Sequence, residues 1–158
     1  MAKEKNIITL LERLLNQSRQ DKLMYLNAAD KENLPTYKRF FNQQALYRNK
    51  MFNDFSAMLS DYGVEVEEVL LKRPDIRQLM STSIKREKIN PFHKFLTQDL
   101  LFLENLNALI AADQKDKNQV IYNNQLLKIT ACIDNNKSMI KEIASKEMIG
   151  LNLSDLNQ

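Results

Sequence analysis

The chain is poor in the residues that punctuate β architecture. Its 158 residues include only two glycines and three prolines, whereas sandwiches and barrels use both types at their tight connections. Long helices are the class compatible with so few turn residues. Cysteine occurs once, as Cys132, and histidine once, as His93. A single thiol excludes an intramolecular disulfide, and the two residues leave almost no soft metal ligands. A reducing compartment follows, and a cytoplasmic location is expected. No apolar run approaches the length of about 18 residues needed to cross a bilayer. Glu12 and Arg13 come too early for the apolar region of a signal peptide. Lys and Arg total 23 against 20 Asp and Glu, a net charge of +3, far from the concentrated positive charge of a phosphate-binding surface. Neither nucleic acid nor membrane is an expected partner. A glycine-rich phosphate loop, a serine nucleophile elbow and a cysteine pair are all missing.

What is present is helical periodicity. A chain of this length can bury a sizeable core as one domain, and a single domain over 1–158 is expected. Ile7, Leu11, Leu14 and Tyr25 recur at spacings of three and four, predicting a first helix over about 6–29. Ser18 and Asp21 share its stripe. A short polar connection leads to Pro35, whose missing N–H suits a first helical turn. The second helix, over about 35–62, carries Tyr37, Phe41, Gln44, Arg48, Met51, Phe55, Met58 and Tyr62, with Gly63 as its stop. Residues 64–73 read as a connection with room for a short helix, and 74–87 as a short helical crossover. Asn90-Pro91 is a cap-and-proline start for a third helix over about 91–112, with Asp99 in the middle of its apolar face. A fourth, over about 119–147, repeats Tyr122, Leu126, Ile129, Ile133, Ile140 and Ile143, interrupted by Asn136. It is expected to end before Gly150, leaving a tail, 151–158, that either docks on the bundle or is a free terminus.

The fold class expected is therefore all-α, an antiparallel four-helix bundle with a long crossover between helices 2 and 3. Together with particular residues, this resembles the ferritin-like superfamily, and within it an uncharacterised family of small bacterial four-helix-bundle proteins. The likeness is strongest over Ile7 to Gly63. Leu11, Leu14, Leu15, Tyr25 and Ala28-Ala29 are similar to that family's first helix; Phe41, Arg48, Met51, Phe55 and Tyr62-Gly63 resemble its second. The resemblance implies the fold, a stress-associated role and an ancestral metal site, because ferritin-like di-iron proteins use inward Glu residues and two Glu-x-x-His motifs. That motif does not occur here: Asn90 stands three residues before His93. No cofactor and no metal are expected, and no enzymatic activity.

The most informative pattern is a set of polar residues at mid-helix: Asp21 with Ser18, Gln44 and Arg48, Asp99, and Asn136 with Asp134 nearby. Counting from the short turns places Asp21 opposite Gln44 and Asp99 level with Asp134, so that all four helices contribute to one central layer. An inward Arg48 would satisfy Asp21 or Asp99 through charge-assisted hydrogen bonds, standing in for the lost ion. Two alternatives stay open. One phase error would put the same residues at the stripe's edge, with Arg48 and Asp21 reaching solvent. Alternatively, Asp21, Asp99, Asp134 and Glu104 would hold a hard divalent cation through oxygen.

Other chemistry-bearing residues have plain readings. His93 is expected as a solvated first-turn residue rather than a proton shuttle. Cys132 is expected as an inert core or boundary thiol. Lys85, Arg86, Lys88 and Lys94 form a basic run broken by Glu87, with no aromatic platform, and read as a solvated face. The function expected is a non-enzymatic bundle acting by association, as a homo-oligomer or with a protein partner; the competing class is a bundle binding a metal or small ligand at Asp21, Gln44, Arg48, Asp99 and Asn136.

Overall fold

A computed structural model describes residues 2–71 and 91–156, with side chains described as far as 149. Every regular element among the described residues is helical: α1 Ala2–Lys31, α2 Pro35–Asp61, α3 Val66–Leu71, α4 Pro91–Ala112 and α5 Asp116–Leu156. The expected crossover at 74–87, the Asn90 cap and the basic residues Lys85, Arg86 and Lys88 lie outside the described residues.

Local chemistry explains the boundaries. Pro35 occupies the first turn of α2, and Leu34 before it is extended, as the residue preceding a proline prefers to be. The Glu32 carboxylate accepts from the backbone N–H groups of Asn33 and Leu34 across the turn. After α2, Gly63 adopts φ 76°, a left-handed conformation open to glycine without steric cost. The Gly63 and Val64 N–H groups return to Ser60 and Leu59 carbonyls, closing the helix end. The expected ends were 6–29 and 119–147 for the outer helices; α1 in fact begins at Ala2, and α5 spans Asp116 to Leu156.

The end of α5 corrects the expected stop before Gly150 and the separate tail at 151–158. A glycine inside a helix costs only about 1 kcal/mol relative to alanine, which is insufficient to end a helix by itself. It does so readily only in the left-handed region, and Gly63 is the one described residue there.

The helices pack α1 on α2 and α4 on α5 most extensively, with α1 also against α4 and a thinner contact between α2 and α5. Their apolar faces form two clusters. The larger takes Leu11, Leu14 and Leu15 of α1, Phe55 and Leu59 of α2, Val69 of α3, Phe102 and Leu106 of α4, and Tyr122 and Ile129 of α5. Docking Val69 here closes the open end between α1 and α2. The smaller cluster is aromatic, built from Tyr25, Phe41, Phe92 and Phe95, with Tyr25 stacked on Phe95 at 4.2 Å between centroids. Along every long helix, polar residues stand between the two clusters.

Candidate functional site: a buried polar layer

Residues on one helix face recur at intervals of three or four. That spacing turns Ser18, Asp21 and Tyr25 of α1, Gln44 and Arg48 of α2, and Cys132 and Asn136 of α5 inward in sets, with Asp99 of α4 opposite. The five residues singled out from the sequence are all buried: Arg48, Asp99 and Asn136 are 0 % exposed, Asp21 1 % and Gln44 5 %. The stripe-edge reading, with Arg48 and Asp21 in water, is not what the structure shows.

Arg48 is the hub. Its Nη2 donates to Asp99 Oδ1 at 2.6 Å, and its Nη1 reaches Gln44 Oε1 at 3.5 Å. The guanidinium carbon lies 5.5 Å from the centre of the Tyr25 ring and 5.7 Å from that of Phe102, so aromatic faces line the cation. Burial lowers its affinity for a proton, but Asp99, aided by Tyr25, Cys132 and Asp21, more than offsets this and the pKa is raised. Arg48 is a fixed positive charge.

Asp99 is saturated with donors. Beyond Arg48 on one oxygen, its Oδ2 accepts from Tyr25 Oη at 2.8 Å, Asn136 Nδ2 at 3.0 Å and Cys132 Sγ at 3.2 Å. Satisfaction of this kind is what allows a carboxylate to be held away from water. Asp21 differs. Its Oδ2 lies 3.9 Å from Arg48 Nε, beyond hydrogen-bond distance, and both atoms, together with Ser18 Oγ, are buried without a hydrogen-bond partner.

Two members of the layer, Tyr25 and Cys132, were not singled out as polar from the sequence, because both sit on apolar stripes. The only signal was that each stands one turn from a polar residue on the same face, Asp21 and Asn136. Burial, then the nearby Asp99, push the Cys132 thiol up to about 12, which disfavours the thiolate. Burial and Asp99 also raise Tyr25 well above the ordinary phenol range.

Several expected placements are corrected. Asp134 lies at the level of Asp99, between Cys132 and Asn136, but is exposed, and those two α5 residues are the ones that meet Asp99. Asp134 lies about 200° around the helix from Asn136, a little over half a turn at about 100° per residue, which carries it off the inward face. Asp21 stands beside Arg48, with Oδ2 at 3.9 Å from Nε. Glu104 is exposed as well, so the oxygen-only cation set of Asp21, Asp99, Asp134 and Glu104 is not assembled. Among the described residues no group of three or more His, Cys, Asp or Glu side chains is arranged to hold a metal ion. The donor set does not fit a di-iron centre: the sole histidine, His93, is exposed on the first turn of α4, and a permanent cation stands between the two carboxylates.

A second polar cluster ties α4 to α5. Asp113 accepts from Tyr122 Oη at 2.6 Å, Asn118 Nδ2 at 2.9 Å and the Lys115 N–H at 3.1 Å. Burial pushes its carboxyl up, but these donors outweigh that and hold it below the ordinary value. This cluster shapes the turn between α4 and α5.

Comparison of the chain with protein-family models, with curated proteins and with solved structures finds no match in any of the three. No helix among the described residues is long and apolar enough to cross a membrane.

Proposed function

We propose that the chain is an antiparallel four-helix bundle of the ferritin-like type, in which an arginine–aspartate pair replaces a metal at the centre, and that it acts without catalysis by associating with a second copy of itself. The observation that carries this reading is the Arg48–Asp99 contact of 2.6 Å between side chains that are both 0 % exposed. Reactants must reach a catalytic group, and the layer's members are sealed within the helices. An internal ion pair of this kind is suited to specifying one arrangement of helices rather than to turnover.

Antiparallel packing is supported by the order of contacts. In the first pair Tyr25 meets Phe41 while the earlier Asp21 meets the later Arg48. In the second, Asp99 meets Asn136 while the later Asp113 meets the earlier Tyr122. Association is supported by Val120 and Leu127, each 72 % exposed and seven residues apart on one face of α5. Apolar side chains two turns apart on an outer face are the pattern by which helices pair. A stress-associated role accompanies the ferritin-like resemblance as part of the same proposal.

Light scattering of the purified protein across a concentration series tests the reading. The expected result is a dimer or larger species that dissociates when Val120→Lys and Leu127→Lys are combined, with helix content unchanged. A wild-type protein that stays monomeric at the highest concentration overturns self-association.

A further inference from the structure

The layer holds two carboxyl groups and one guanidinium, and the guanidinium is already committed. Asp99 takes the 2.6 Å contact with Arg48 and, through its second oxygen, the donors of Tyr25, Asn136 and Cys132. Nothing comparable reaches Asp21, whose Oδ2 has no hydrogen bond and whose nearest cationic atom is 3.9 Å away. The charged groups that act on it are Arg48 from α2 and Asp99 from α4, while Tyr25 of its own helix and Cys132 of α5 are turned to Asp99. Of these only Arg48 favours a negative charge at Asp21, and its charge is shared with Asp99.

We propose that Asp21 is a proton-binding site built into the bundle: the folded protein carries a proton on this carboxyl and releases it to solvent as the pH rises, leaving an unpaired carboxylate beside the Arg48–Asp99 pair. A neutral carboxylic acid resolves the excess negative charge that two carboxylates and one arginine would otherwise bury. The inference rests on the charge count of the layer and holds whether or not the protein self-associates.

The direction of the effect follows from linkage. Burial first, opposed by Arg48 and reinforced by Asp99, pushes the Asp21 carboxyl from its ordinary 3.8 up to about 7. Between these values the folded state keeps a proton that the unfolded chain has released. The unfolded state therefore binds fewer protons, and stability falls as pH rises through this window. The stabilisation is complete below the unfolded value and is lost once the pH passes the folded one.

The experiment compares wild type with Asp21→Asn, which keeps the side chain's shape and cannot ionise, by chemical denaturation between pH 5 and pH 8 at a concentration where scattering shows a single species. Relative to the variant, the wild-type folding equilibrium constant is expected to fall by about 100-fold across this range. Parallel profiles for the two proteins overturn the proposal. A second measurement covers a variant that fails to fold: carbon-detected NMR of the Asp21 carboxyl in the wild type should show a titration centred near neutrality. A carboxyl already ionised at pH 5 overturns it equally.

Discussion

Arg48 illustrates how much a single buried charge can organise. Removing water from a guanidinium costs several kcal/mol, and the cost is met here by Asp99, by Gln44 and by two aromatic rings. The dependence is mutual, because Asp99 without Arg48 is a carboxylate sealed from solvent. Arg48→Met is therefore expected to destabilise the fold by about 3–5 kcal/mol, the range for breaking a buried pair from one side. Combining it with Asp99→Asn removes both charges and should recover part of that loss. In a double-mutant cycle by denaturant unfolding, a coupling of about 2 kcal/mol is expected for residues in one network. Costs that simply add would show that the pair does not act as a unit.

At the level of elements, the ends of helices are set by short-range chemistry and their rotation by the pattern of polar residues. Tyr122 links the two, since its ring lies in the larger apolar cluster while its hydroxyl binds the Asp113 carboxylate at 2.6 Å. Tyr122→Phe keeps the packing and deletes the donor, leaving Asp113 with Asn118 and the Lys115 N–H. A loss of about 1.5–3 kcal/mol is expected, the magnitude for a hydrogen bond to a charged group, accompanied by faster amide exchange across the α4–α5 turn. Unchanged exchange and stability would assign that turn to backbone preference alone. Pro35, Gly63 and Pro91 could be read in advance because each acts through its own φ angle or missing N–H. Gly150 misled for the complementary reason: glycine permits a helix end without requiring one, and α5 continues through it.

Across the whole molecule, the polar layer separates a large, mainly aliphatic cluster from a smaller, mainly aromatic one. All four long helices must be in register for Tyr25, Arg48, Asp99, Cys132 and Asn136 to meet. A slipped helix would bury Arg48 or Asp99 unpaired, so the layer penalises alternative packings as well as stabilising this one. The permanent cation between Asp21 and Asp99 also has a consequence for ligands. Millimolar Mg²⁺ or Mn²⁺ is expected to leave the thermal midpoint unchanged, since a ligand stabilises only a state that binds it. A rise of several degrees on adding either ion, checked by elemental analysis, would reinstate a cation in the core.

By itself the sequence determined that the protein is helical, where the helices opened by Pro35 and Pro91 start and stop, and which polar residues interrupt the apolar stripes. Those properties depend on neighbours within a turn or two, and a linear pattern records them. Tertiary structure decided the rest: that Asp134 and Glu104 point away while Asp99 and Asn136 point in, that Arg48 chooses Asp99 at 2.6 Å over Asp21 at 3.9 Å, and that a tyrosine and a cysteine complete the layer. The reason is geometric. Which side chains meet across four helices depends on each helix's rotation and axial position, and a difference of one residue, about 100° and 1.5 Å, exchanges a buried partner for an exposed one.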